Sequence, residues 1–143
     1  MKIDGGCHCG YLTYEAEIDE TEISVCHCTD CQALSGTAFR VSARSREDAF
    51  IQLTGEPREY IKTGSSGAQR IQAFCPECGS QIYSTSVGDG PKVYNLRTGT
   101  IRQRAELVPV VQQWTRSELP WIDVLASIPK FEGTYMTPDQ SKS

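Results

Sequence analysis

The stretch TEISVCHCTDCQALSG (21–36) carries the reading of this chain. Its first half is rich in β-branched residues and predicts a strand over 21–27. That strand runs directly into Cys26, Cys28 and Cys31, and CTDCQALSG (28–36) then allows one helical turn that stops at Gly36. Three sulfurs within six residues are badly spaced for disulfides with one another. They are well spaced to surround one metal ion from a tight turn.

Two further clusters lie outward from this one, CHC (7–9) and CPEC (75–78), giving seven cysteines against two histidines. An odd number cannot pair completely in disulfides within one chain. The opening MKIDGGCHCG (1–10) lacks the apolar core of a secretory signal, so a reducing cytoplasmic setting is expected. Thiols then stay available as ligands, and a disulfide scaffold is the lesser alternative. Zinc is the default metal for clustered thiolates, and the usual cysteine spacings of iron–sulfur proteins are not seen.

A structural zinc takes four protein ligands, whereas a catalytic one takes three and keeps a position open. Cys75 and Cys78 form a knuckle, CPECG, whose Pro76 and Gly79 suit a tight turn; Cys7 and Cys9 can complete its set. Cys26, Cys28 and Cys31 then form a trio. The rival partition pairs Cys75 and Cys78 with two of the middle three and strands the remaining thiols. The expectation is therefore one closed four-cysteine site and one open three-cysteine site. His8 and His27 each sit between two cysteines, and alternation along an extended chain turns their rings away from the sulfurs. Packing or a supporting hydrogen bond is the expected role for both, with His27 the better candidate for proton transfer.

The remainder reads as short strands. YLTYEAEI (11–18) alternates, with Leu12, Tyr14, Ala16 and Ile18 on one face. TAFRVSAR (37–44), FIQLTG (50–55), REYIKT (58–63), RIQAFC (70–75), SQIYSTS (80–86), KVYNLRTG (92–99) and LVPVVQQW (107–114) follow. SREDA (45–49) reads as a turn or short helix, GSSGAQ (64–69) as a hairpin loop, and Pro109 marks an edge or bulge. Strand signals at this spacing predict an all-β or β-rich domain with one or two helical turns. Residues 1–136 form a single domain, and TPDQSKS (137–143) is a polar tail. Of the 143 residues 38% are apolar and 22% charged, and no apolar run approaches the roughly 20 residues that span a bilayer. The net charge of −4 argues against a nucleic-acid surface.

With these motifs in view, the sequence resembles the glutathione-dependent formaldehyde-activating enzyme family, also called centromere-protein-V-like. The resemblance is carried by GGCHCGYLTYE (5–15), CHCTDCQALSGTAF (26–39), FCPECGSQIY (74–83), LRTGTI (96–101) and the stretch 109–133. It implies a small β-tent of packed, twisted sheets, a structural zinc on Cys7, Cys9, Cys75 and Cys78, and an active-site zinc on Cys26, Cys28 and Cys31. It also implies carbon–sulfur lyase chemistry, making S-hydroxymethylglutathione from formaldehyde and glutathione. Many members carry histidine where this chain has Gln112.

Glutathione, as substrate or ligand, carries two carboxylates, so cations or backbone donors are expected near the open site. Arg40, Arg70 and Arg97 are candidates by type, each weighed against an ordinary solvated arginine. The N–H groups of Ser35 and Gly36 are further candidates, weighed against a simple turn. Trp114 and Trp121 are expected in the core rather than in a pocket. The expected partner is a small-molecule thiol, with no nucleic acid and no membrane, and homodimer formation stays open. The alternative function is a non-catalytic, zinc-stabilised binding module.

Overall fold

The computed structural model describes residues 1–135. The polar tail expected over 137–143 lies outside the described residues. Eight strands build one sheet: β1 (Lys2–Gly6), β2 (Thr13–Cys26), β3 (Arg40–Thr54), β4 (Arg58–Thr63), β5 (Gln69–Phe74), β6 (Gln81–Ser86), β7 (Asn95–Arg97) and β8 (Val111–Gln113). One short helix, α1 (Thr29–Ser35), follows β2, and four brief 3-10 turns lie between Thr98 and Ala126. The strand order is β1-β2-β3-β7-β6-β5-β4, with neighbours antiparallel; β8 adds to β2 in parallel beside Cys26. No helix among the described residues is long and apolar enough to cross a membrane.

The alternation in 11–18 does what its period dictates. Leu12, Tyr14, Ala16 and Ile18 are all buried, and Ile23 and Val25 continue that face. Leu96, Ile82, Ala73 and Ala43 meet them from the other strands. An aromatic relay crosses the sheet. Phe50 lies 5.3 Å from Tyr14, 4.6 Å from Tyr94 and 5.0 Å from Tyr83, measured between ring centroids. The Tyr14 hydroxyl shares a 2.8 Å hydrogen bond with Thr100, and burial pushes its phenol up to about 12.

Several local expectations are corrected. The separate strands expected over 11–18 and 21–27 are one strand, β2, and those over 37–44 and 50–55 are one strand, β3. SREDA is neither helix nor hairpin turn. Ala16 pairs with Phe50 and Ile18 with Ser45, so residues 46–49 bulge from the ladder. Asp48 anchors the bulge. Its backbone N–H donates to the Lys92 carbonyl at 2.8 Å, and its Oδ1 accepts from the Lys92 N–H at 2.9 Å. The long strand expected over 107–114 shrinks to the three residues of β8, an edge position consistent with the nearby Pro109. Trp114 and Trp121 are not core residues: they are 49% and 47% exposed.

Candidate metal centres

The seven sulfurs gather into two groups. Cys7, Cys9, Cys75 and Cys78 lie within 4.8 Å of one another, and so do Cys26, Cys28 and Cys31. Four sulfurs around zinc at the usual bond length sit about 3.8 Å apart. Here Cys7 and Cys9 are 3.6 Å apart, and Cys9 and Cys75 3.8 Å. The donor type and spacing therefore fit such an ion, and each group could hold one metal.

The four-cysteine group closes the sheet. Its first pair follows β1 at one edge, and its second lies in the turn joining β5 to β6, well across the strand order. Gly10 and Gly79, with φ of +85° and +78°, turn the chain back after each pair. The Leu12 N–H donates to the Cys7 sulfur at 3.2 Å. In the knuckle, the Gly79 N–H donates to the Cys75 carbonyl, and the Cys75 N–H to the Ser80 carbonyl, both at 2.9 Å. The Ser80 hydroxyl accepts from the His8 N–H at 3.0 Å and lies 3.2 Å from the Cys78 sulfur. Hydrogen bonds from Ser80, hydroxyl and backbone, bring the Cys78 thiol down to about 5. His8 is exposed and joins this network through its backbone, not its ring.

The three-cysteine group is local. Cys26 ends β2, Cys28 caps α1, and Cys31 lies in the first turn of the helix. The Cys28 sulfur accepts from the Cys31 N–H at 3.2 Å, in the manner of an N-cap side chain. Burial and the neighbouring sulfurs push Cys26 up to about 12. Burial also opposes the Cys28 thiolate, but the Cys31 N–H, the neighbouring thiols and Lys62 hold it below its ordinary value. Sulfurs this close resist ionising together, and a divalent cation is what permits all three to do so. The buried Arg40 donates from Nη2 to the Cys31 sulfur at 3.1 Å and from Nη1 to Gln81 at 3.4 Å.

The other anticipated residues separate sharply. Arg97 is close behind this group but buried, held by Ser42 at 2.8 Å and Gln72 at 2.9 Å. Burial, with Arg40 and Arg70 adding like charge, brings its guanidinium down to about 9, against the opposing pull of Cys31 and Cys26. Neither Arg40 nor Arg97 is the solvated arginine that side-chain type alone suggested, whereas Arg70 is half-buried. The Gly36 N–H is unavailable to a ligand. It donates to the Gln32 carbonyl at 3.0 Å and closes α1. Ser35, the last residue of that helix, has its hydroxyl oxygen buried without a partner.

His27 is fully buried, and its ring contacts Phe39 at 5.6 Å between centroids. Its Nε2 donates to Oε1 of Gln112 at 2.8 Å. The ring is packed as expected, and its Nδ1 is buried without a partner. Gln112, on β8, thereby ties that edge strand to the loop carrying Cys26 and Cys28. Gln32 reinforces the tie by donating to the His27 carbonyl at 2.9 Å and the Ser117 carbonyl at 3.0 Å.

A cavity of about 440 Å³ is lined by Leu34, Tyr60, Gln72, Phe74 and Gln81 among others. Gln72 and Gln81 are the partners of Arg97 and Arg40, so it adjoins the three-cysteine group. A larger cavity, about 720 Å³, lies over β1, β2 and β3 and is lined by no cysteine. Sequence reasoning missed Gln72, Gln81, Lys62 and the bond from Arg40 to sulfur. The available signal was Arg40 itself, a charge placed between Phe39 and Val41 in a strand.

The fold and these two groups define a β-rich domain with two cysteine clusters, each of which could hold one metal ion. Comparison with known families is more specific. The model of the glutathione-dependent formaldehyde-activating enzyme (GFA) family matches residues 2–117, and the chain belongs to that family. An uncharacterized lyase of Schizosaccharomyces pombe is 29% identical over 80 residues, covering 56% of this chain and 55% of that protein. The chain thus spans about half the length of that relative. The crystal structure of a Rhodobacter sphaeroides protein is similar at a TM-score of 0.58 and 18% identity, covering 77% of this chain and 99% of that one. The likeness extends to the fold.

Proposed function

We propose that the protein is a zinc-dependent carbon–sulfur lyase of the cytoplasm acting on glutathione adducts, such as S-hydroxymethylglutathione formed from formaldehyde and glutathione. The observation that carries this reading is the trio Cys26, Cys28 and Cys31, which offers three sulfurs to an ion that takes four ligands. Membership of the GFA family supports the substrate class. The lyase name of the yeast relative supports the reaction type.

In this reading Cys26, Cys28 and Cys31 hold the active-site zinc, and Cys7, Cys9, Cys75 and Cys78 hold the structural one. Bound zinc supplies Lewis acidity and lowers the pKa of a thiol that approaches it. The protein supplies the rest. The cap of α1 orients Cys28 and Cys31. Arg40 offsets charge on Cys31. Lys62, paired with Asp30 at 3.0 Å, lies near Cys28 as a cation for a substrate carboxylate. In the reaction the glutathione sulfur bonds the formaldehyde carbon, and the thiol proton ends on the oxygen. The test is proton NMR of adduct formation with zinc-loaded protein. A rate above the spontaneous one, lost in Cys28→Ser, is expected; a rate equal to the spontaneous one contradicts the proposal.

One observation favours a second reading, a binding module without turnover. Val108, Val110, Val111, Trp114, Trp121 and Phe131 are all exposed along one stretch of chain. Apolar exposure on this scale marks interaction surfaces. In that case the wild type gives no rate, and both metals resist chelation equally.

A further inference from the structure

We propose that Arg40 makes the three-cysteine centre selective for an anionic fourth ligand, acting through Cys31 as a positioning residue. The inference rests on the reading of this centre as a metal site with a free position. The two cysteine groups differ in what stands behind the sulfurs. Around the four-cysteine group the donors to sulfur are neutral: the Leu12 N–H and the Ser80 hydroxyl. Behind the trio a buried guanidinium donates straight to sulfur, Arg40 to Cys31 at 3.1 Å. Hydrogen bonds from a charged donor are the stronger kind and draw charge off the acceptor.

A second cation deepens the contrast. Arg97 is 7% exposed, its partners Ser42 and Gln72 are neutral, and its Nε is buried with no partner. The ion pairs among the described residues are Arg44–Glu22, Arg46–Glu17, Lys62–Asp30 and Arg102–Asp4. Neither Arg40 nor Arg97 belongs to one. Two buried cations without a carboxylate therefore stand behind the trio: Arg40 bonds the Cys31 sulfur, and Arg97 is near enough for charge on Cys31 and Cys26 to act on it. Buried charge is costly unless compensated. Three thiolates against a divalent ion and these two guanidiniums sum to one positive charge; half-buried Arg70 adds to it, and Lys62 is balanced by Asp30. A ligand arriving as an anion offsets that charge, whereas a neutral ligand leaves it uncompensated. Without Arg40, a fourth thiolate would instead crowd more negative charge around Cys31.

The test uses the full chain loaded with cobalt(II), whose visible spectrum reports ligand exchange. Two probes are titrated, 2-mercaptoethanol, which binds as a thiolate, and imidazole, which binds neutral. Arg40→Gln is expected to weaken the thiolate by about tenfold while imidazole changes less than about twofold. Arg40→Lys keeps most of the preference, because it keeps the charge. Arg97→Met, which leaves the bond to Cys31 in place, weakens the thiolate by about threefold, so the idea stays testable if Arg40→Gln does not fold. Equal weakening of both probes assigns Arg40 a merely structural role and overturns the proposal. Unchanged thiolate affinity in all three variants also overturns it, while leaving the open centre intact. If neither probe alters the wild-type spectrum, the free position is absent, and this inference falls together with the reading it rests on.

Discussion

The two cysteine groups use the same ligand atom for different structural ends. The four-cysteine group joins positions far apart in the chain, with Cys9 and Cys75 separated by 66 residues. The three-cysteine group is gathered within one strand end and one helical turn. A long-range group bridges elements that would otherwise have to find each other through modest core burial, so a metal held there would be coupled to folding. A local group can empty without separating any two strands. In the proposed function the stabilising task and the chemical task are divided between these groups, and only the second needs a free coordination position.

The largest expected effect breaks the first half of this comparison. Cys75 is fully buried and belongs to the bridging group. Cys75→Ser should abolish folding or lower the thermal midpoint by more than about 15 °C, read by circular dichroism. Cys28→Ser should remove one equivalent of metal, keep the folded spectrum, and lower the midpoint by about 5 °C or less. Unfolding in Cys28→Ser as complete as in Cys75→Ser would erase the distinction between the groups.

Smaller effects sharpen the comparison. His27→Ala removes a fully buried ring and its bond to Gln112, which should cost about 2–3 kcal/mol in urea unfolding with both metals retained. Gln112→Ala should cost about 1 kcal/mol, with coupling between the two in a double-mutant cycle. Smallest is the Asp4 carboxylate on β1, which accepts from Arg102 and Gln103. These bonds, that from Arg102 foremost, hold its pKa below the usual value. A depressed carboxylate contributes stability at neutral pH and loses it as the folded group protonates. Asp4→Asn should therefore lower the midpoint slightly at pH 7, and the gap to wild type should narrow below about pH 4.

Much of this architecture was legible where a physical period or spacing acted alone. The alternation of Leu12, Tyr14, Ala16 and Ile18 predicted the buried face, and cysteine spacing predicted how the sulfurs divide. The strand β1 was not legible, because KIDGG holds one apolar residue and two glycines, and tertiary pairing to β2 makes it a strand. The continuity of β2 and of β3 was hidden for a related reason. The polar residues at 19–20 and 45–49 interrupt the strand signal, yet bulges absorb them inside long strands. The arginines misled through residue type. Their usual place is solvent, and only the fold shows Arg40 and Arg97 inside it. The tryptophans misled in the opposite direction.

The central claim is that one centre is closed and the other open. It is tested most directly by timing metal release from the purified wild-type chain with a colorimetric chelator. The account predicts two zinc ions per chain released in two phases, with the fast phase missing in Cys28→Ser and the fold intact until the slow phase begins. A single zinc per chain, or two released together as the protein unfolds, would contradict it.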